Sequence, residues 1–163
     1  MPKSDHELHI VPSILDRLLD DEPEVSREAL PNRYQNVFQL KRAVARDLEA
    51  LLNTRQELLE EVPSEFTEVS RSLVTYGLPD FSSFSLLNIN DRNRIRRALE
   101  QAIATFEPRF ERVRVNLDPP REQDRTLRFR IEALLRLEPA PEPVTFDAVL
   151  RLNTQEYVVQ GQD

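Results

Sequence analysis

Few groups in this 163-residue chain could act as a nucleophile, an acid or a base, and most of them are carboxylates. There is no cysteine, which excludes thiolate nucleophiles, CxxC redox pairs and cysteine zinc sites. The two histidines, His6 and His9, stand three apart near the N-terminus. That spacing could hold a metal on a helix turn, but no HExxH motif or further ligand accompanies it, and an exposed tail is the simpler reading. Ser72, Ser83 and Ser85 have no histidine base in the folded region and no GxSxG elbow around them. Gly77 and Gly161 are the only glycines, so the usual phosphate-cradling loops are excluded. No metal and no cofactor is expected.

Paired carboxylates are what remains for catalysis. Glycosidases need two of them about 5 to 9.5 Å apart, and with 29 acidic residues such a pair would arise by chance. Asp80, between Pro79 and Phe81, is the best sheltered, with Glu107 or Glu65 as a nominal partner. A glycosidase also needs a cleft and aromatic platforms for its sugar, and the chain has no tryptophan. A second constellation is ionic. Glu107 and Arg109 flank Pro108, whose ring fixes the backbone, so both side chains have defined directions and can form oriented ion pairs. Such pairs either latch this corner within the fold or reach a neighbouring chain.

The elements that position these residues follow from hydrophobic period. Pro12, placed at a first helical position, precedes Ile14, Leu15, Leu18 and Leu19, a short amphipathic helix ending in Asp20, Asp21 and Glu22. A polar connector with Pro23 and Pro31 follows. Asn36 and Gln39 form a capping box for a helix in which Val37, Leu40, Val44, Leu48, Leu51 and Leu52 share one face through about Arg55. A second helix is predicted from near Ser64 through Phe66, Val69 and Leu73, stopped by Gly77. The loop 78–90 should tuck back through Phe81, Phe84, Leu86 and Leu87. A third helix starts at Asn90 or Asp91, carries Ile95, Leu99, Ala102, Ile103 and Phe106, and is halted by Pro108.

Beyond Pro108 the period falls to two. Val113, Val115 and Leu117 form one strand, PPREQD a turn, and Leu127, Phe129, Ile131 and Ala133 a second strand. EPAPEP at 138–143 leads to Val144, Phe146, Ala148 and Leu150, and LNTQ turns the chain into a last strand around Tyr157, Val158 and Val159. Each strand keeps one wet face, so helices must cover the other. The fold class is therefore α+β, with N-terminal helices on one face of a C-terminal, four-stranded, mainly antiparallel sheet. Residues 1–35 form a partly flexible segment with a short helix and residues 36–163 the domain. The last strand could be an open edge that accepts another chain's strand, or it could be protected.

The formal charge is −7: residues 1–90 carry 9 basic and 16 acidic side chains, and residues 91–163 carry 13 of each. That balance disfavours nucleic acid, although Arg92, Arg94, Arg96 and Arg97 could make a local basic patch. Residues 1–20 lack a basic leader and apolar run, and no stretch approaches a bilayer span, so a soluble intracellular protein is expected.

LKRAVARDLEALLNTRQ at 40–56, SRSLVTYGLPDF at 70–81 and FEPRFERVRV at 106–115 together resemble the TssE family, baseplate subunits of bacterial type VI secretion systems related to a baseplate wedge protein of contractile phage tails. The resemblance extends from the start at 12–21 to the final strands. The family's Glu-Pro-Arg motif falls on Glu107, Pro108 and Arg109, its arginine-aspartate segment on Arg46 and Asp47, the stretch after it on Asn53, Thr54 and Arg55, and its YGLPD loop on Tyr76 through Asp80. Gln56 and Phe110 are small departures. The resemblance implies a non-catalytic structural subunit of a cytoplasmic baseplate docked at the inner-membrane complex. Its implied partners are wedge subunits similar to TssF and TssG and sheath proteins similar to TssB and TssC, without nucleic acid or direct membrane insertion. A sheath strand would join its sheet. Some relatives carry a lysozyme-like label, which supplies the alternative of a glycosidase acting on peptidoglycan.

Overall fold

The computed structural model describes residues 10–19, 23–24, 36–57, 65–119, 126–151 and 156–161. His6 and His9, the start of the second helix at Ser64, LNTQ at 152–155 and most of the 21–36 connector and of PPREQD lie outside them. The chain forms two compact units, residues 1–44 and residues 45–162.

In the first unit, α1 (Ile14–Leu18) is capped by Ser13, which displaces Pro12 from the expected first helical position. The Ser13 hydroxyl accepts from the Asp16 N–H at 3.1 Å, and the Asp16 carboxylate accepts from the Ser13 N–H at 3.2 Å. A serine there satisfies two orphan donors, which a proline cannot do. None of α1's residues is buried. Helix α2 (Val37–Asn53) starts in this unit with the expected box: Asn36 accepts from Gln39 N–H at 2.8 Å and Gln39 accepts from Asn36 N–H at 2.9 Å.

The second unit contains the rest of α2, helix α3 (Ile89–Phe106) and the strands β1 (Phe110–Leu117), β2 (Thr126–Leu135), β3 (Glu142–Arg151) and β4 (Glu156–Gly161). The strands pair antiparallel in the order β1-β2-β3-β4, the expected meander. Leu127, Phe129, Ile131, Ala133 and Leu135 of β2 are buried in alternation with Arg128, Arg130 and Glu132, which lie in water. Val144, Phe146, Ala148 and Leu150 continue the apolar face on β3. Leu48, Leu51 and Leu52 of α2 and Ile95, Leu99, Ala102 and Ile103 of α3 supply the opposing layer, giving an α+β unit with helices on one sheet face. Helix α3 begins one residue before the expected point, because the Asn88 side chain caps Asn90 N–H at 2.8 Å while Asp91 is taken by Ser85 N–H at 3.0 Å. In β1 Val113, Val115 and Leu117 are covered in the expected alternation with exposed Arg112, Arg114 and Asn116, while the pairing register shifts between Glu111 and Arg114 and Arg112 sits at φ 52°.

The predicted second helix is not formed among the described residues. Two 3-10 turns, Val69–Arg71 and Leu73–Thr75, stand in its place. The reason is local competition for backbone groups. Ser70 donates to Thr67 O, Ser72 donates to Val69 O and caps Val74 N–H, and Thr75 donates to Ser70 O and Ser72 O. In the following loop Leu78 and Phe81 are buried and Phe84 and Leu86 half-buried, as expected, whereas Leu87 is exposed at the tip of the turn closed by Asn88 N–H to Ser85 O.

Gly77 serves this loop rather than a helix end. Leu78 N–H bonds to Thr54 O and Gln56 N–H to Leu78 O, both at 2.8 Å, which draws the loop against the end of α2. At φ 108° a Cβ on Gly77 would lie 2.4 Å from Thr54 O, a backbone atom that cannot step aside. Gly77→Ala should therefore cost on the order of 3 kcal/mol, seen as a fall in the urea midpoint without a change in slope.

Candidate functional site

The sequence-predicted residues Arg46, Asp47, Glu107 and Arg109 come together in one cluster. Helix α3 ends at Phe106, and Glu107 caps it through an N–H to Ile103 O at 2.9 Å. Phe110 N–H returns to Glu107 O at 3.1 Å, so Pro108 occupies the second position of a turn, where its fixed φ is favoured. The turn folds Arg109 back: its backbone N–H and Nε donate to Glu107 Oε1 at 3.1 and 2.6 Å, and Nη2 donates to Glu107 Oε2. The same Nη2 donates to Asp47 Oδ2 on α2 at 2.7 Å, and Arg46 holds the other Asp47 oxygen at 2.7 Å.

Glu107 is only 4% exposed. Burial alone would lower the Arg109 guanidinium, but the hydrogen bonds and charge of Glu107, then those of Asp47, outweigh it and hold it above its ordinary value. Tyr76, edge-on to Phe106 at 5.2 Å, is pushed up first by burial and then by the charges of Asp47 and Glu107. Of the two alternatives for the Glu-Pro-Arg corner, a bond within the fold is formed: Glu107 is buried, and half-buried Arg109 joins α2 to the α3–β1 corner.

Asp80 lies apart from this cluster. Its Oδ1 accepts from Ser82 N–H at 2.8 Å and its Oδ2 faces Arg55 at 3.7 Å, both at a recess of about 250 Å³ that Leu52, Asn53, Leu78, Leu150 and Tyr157 help to line. The nominal partner Glu107 has both oxygens engaged by Arg109, and Glu65 is exposed. No group of three or more His, Asp or Glu among the described residues could hold a metal, and no helix among them is long and apolar enough to cross a membrane. Of the arginines that could make a basic patch, Arg92 donates to Asp118 O at 2.7 Å, Arg94 lies over the Phe84 ring at 5.0 Å and Arg96 pairs with Glu100 at 3.2 Å.

Sequence reasoning missed what covers the sheet borders. β4 is a terminal strand, as its position suggested, but three of its outward groups are taken. Asn53 Oδ1 accepts from Tyr157 N–H at 2.8 Å and Asn53 Nδ2 donates to Tyr157 O at 2.9 Å, both bonds that a neighbouring strand would make. Glu49 Oε2 accepts from Val159 N–H at 3.0 Å. The spacing permits it: four helix residues rise about 6 Å, close to the roughly 6.7 Å spanned by two strand residues. At the β1 border Glu100 accepts from Val115 N–H at 3.0 Å and Arg92 reaches Leu117 O at 3.4 Å. Of the two alternatives for the last strand, open or protected, the protected one is seen here at Tyr157 and Val159, and side chains also reach Val115 and Leu117 at the other border. No local pattern announces the cover at β4, since it depends on where a strand over 100 residues away comes to lie.

The sequence profile of the family described as baseplate wedge protein gp25 matches residues 38–140, well over half of the chain. This chain belongs to that family. The matched range holds the three motif-bearing blocks and the whole latch, while residues 12–21 and strands β3 and β4 fall outside it. A chain in a solved structure of the baseplate complex from the type VI secretion system is 18% identical, aligned over 74% of this chain and 95% of that one, at a TM-score of 0.46. Comparison with curated protein sequences gives no match.

Two outcomes follow for this gp25-family member. Arg109→Ala should destabilise it by about 3 kcal/mol, the low end for breaking a buried pair because the Arg109 side chain keeps 26% exposure, and Arg109→Lys should restore only part, lacking the planar fork; matched urea titrations check both. Burial also pushes the Tyr157 phenol up. Its folded-state value lies above the ordinary value of about 10, so its contribution is present below that pH and is lost as pH rises through the folded value. Tyr157→Phe should flatten the alkaline fall in stability, measured by thermal melts from pH 8 upward.

Proposed function

We propose that this chain is a structural, non-catalytic baseplate subunit of the TssE kind, which links the wedge complex to the contractile sheath of a type VI secretion system and helps initiate sheath polymerisation. Its partners on this reading are wedge subunits similar to TssF and TssG and sheath proteins similar to TssB and TssC, in a cytoplasmic baseplate docked at the inner-membrane complex. The observation that carries the proposal is the gp25-family match over 38–140, which encloses the Glu107–Arg109–Asp47 latch.

The physics suits such a role. A coupling subunit must transmit force without shearing its layers, and the latch fixes α2 to the α3–β1 corner through charge-assisted bonds. The net charge of −7 and the intramolecular engagement of Arg92, Arg94 and Arg96 favour protein partners over nucleic acid. Nothing in the geometry favours the glycosidase reading, since Asp80 and Glu107 face different cationic partners.

The test is co-purification with the wedge subunits followed by cross-linking to sheath protein. Retention on the wedge and a cross-link to the sheath are expected. Failure to join the wedge, or sustained peptidoglycan turnover by the pure chain that disappears in Asp80→Asn, would refute the assignment.

A further inference from the structure

Helix α1 is only five residues long, yet both of its ends are finished. The Ser13 hydroxyl and the Asp16 carboxylate close a reciprocal capping box, and the Leu19 N–H returns to Leu15 O at 3.0 Å. Such a short helix is marginal in isolation, because nucleation costs more than its few bonds return, and none of its residues is buried. Ile14, Leu15 and Leu18 fall within about 100° of arc on one face. Ile14 is 77% and Leu18 76% exposed, and Val11 and Leu19 on either side are exposed as well. Five large apolar side chains gathered in water mark an interaction surface. The helix also lies before residue 38, where the gp25-family match begins, so it stands outside the domain which that profile describes.

The charge beside this face selects its occupant. From Asp16 to Glu24 the chain carries five acidic side chains and one basic, Arg17. A helix that settles on an anionic bilayer carries lysine and arginine on its polar side, the opposite sign. Two copies of α1 laid together would oppose like charges. They would also meet over a helix only about 8 Å long, far short of the roughly 800 Å² per partner of a stable flat interface. What the face fits is a concave site that surrounds a short helix, with cations at its edge.

We propose that α1 is a docking helix, whose residues Ile14, Leu15 and Leu18 enter an apolar groove rimmed by lysine or arginine on a wedge subunit. The proposal rests on the reading of the chain as a baseplate subunit, in which the wedge complex supplies the groove. The capping box holds the helix ready and lowers the ordering cost of binding.

The experiment titrates full-length chain against the purified wedge complex. Wild type is compared with Ile14→Ser/Leu18→Ser, with Ile14→Met/Leu18→Met and with Asp20→Asn/Asp21→Asn. The serine pair should bind at least about tenfold more weakly, with an unchanged urea midpoint because no α1 residue is buried. The methionine pair keeps the face apolar and should bind as wild type. The asparagine pair should bind about threefold more weakly and show a flatter salt dependence.

Wedge binding by the serine pair equal to that of wild type would overturn the docking helix. Self-association of wild type that the serine pair abolishes, or its recruitment to vesicles of phosphatidylethanolamine and phosphatidylglycerol, would overturn the choice of occupant. A wild-type salt response in the asparagine pair would overturn the basic rim. The baseplate reading is judged on wild type alone: failure to join the wedge refutes that reading, whereas equal joining by wild type and the serine pair removes only the docking helix.

Discussion

A carboxylate as deeply buried as Glu107 requires a cation that cannot drift away, and Arg109, two residues on, is held to it by the turn at Pro108. The second hydrogen of the same Nη2 goes to Asp47, 62 residues earlier. That bond fixes the rotation and height of α2 against the α3–β1 corner. Glu49 and Asn53 follow Asp47 on the same helix, so the geometry that satisfies the buried charge also sets where the covers of β4 fall. One ionic constraint therefore reaches both ends of the sheet.

The chemistry of the cluster shows what its acidic residues do. Asp80 and Glu107, two of the three carboxylates that sequence could nominate for acid–base work, face arginines. Arginine suits such pairing because its planar fork binds two carboxylates in fixed directions, a capacity lysine lacks. Arg46 and Arg109 share Asp47 in this way at the corner.

The α+β architecture was legible because its signals are local and repeated. Period 3.6 in α2 and α3, period two in the strands, and the capping box at Asn36 each repeat the same message several times. What failed was also local in cause. Around Ser70, Ser72 and Thr75 the apolar spacing argued for a helix, but hydroxyls bonded to nearby carbonyls and won. The alternation around Arg112 and Val113 is present, but the bulge there leaves no mark on residue type. Of the site, the Glu-Pro-Arg corner and Arg46–Asp47 could be named from their resemblance, but their mutual contact could not, and Asp80 was grouped with a carboxylate it does not face. Asn53 carried no signal of its role, since its meaning depends on Tyr157, 104 residues further along.

That separation has a kinetic meaning. The seam between α2 and β4 closes loops of 104 and 110 residues, so its contacts repay their closure entropy only after the intervening meander has formed. Contacts of this kind contribute little to the folding transition state and much to the rate at which a native structure comes apart. The seam would then be the last part of the unit to consolidate and the first to breathe, and its opening need not wait for global unfolding.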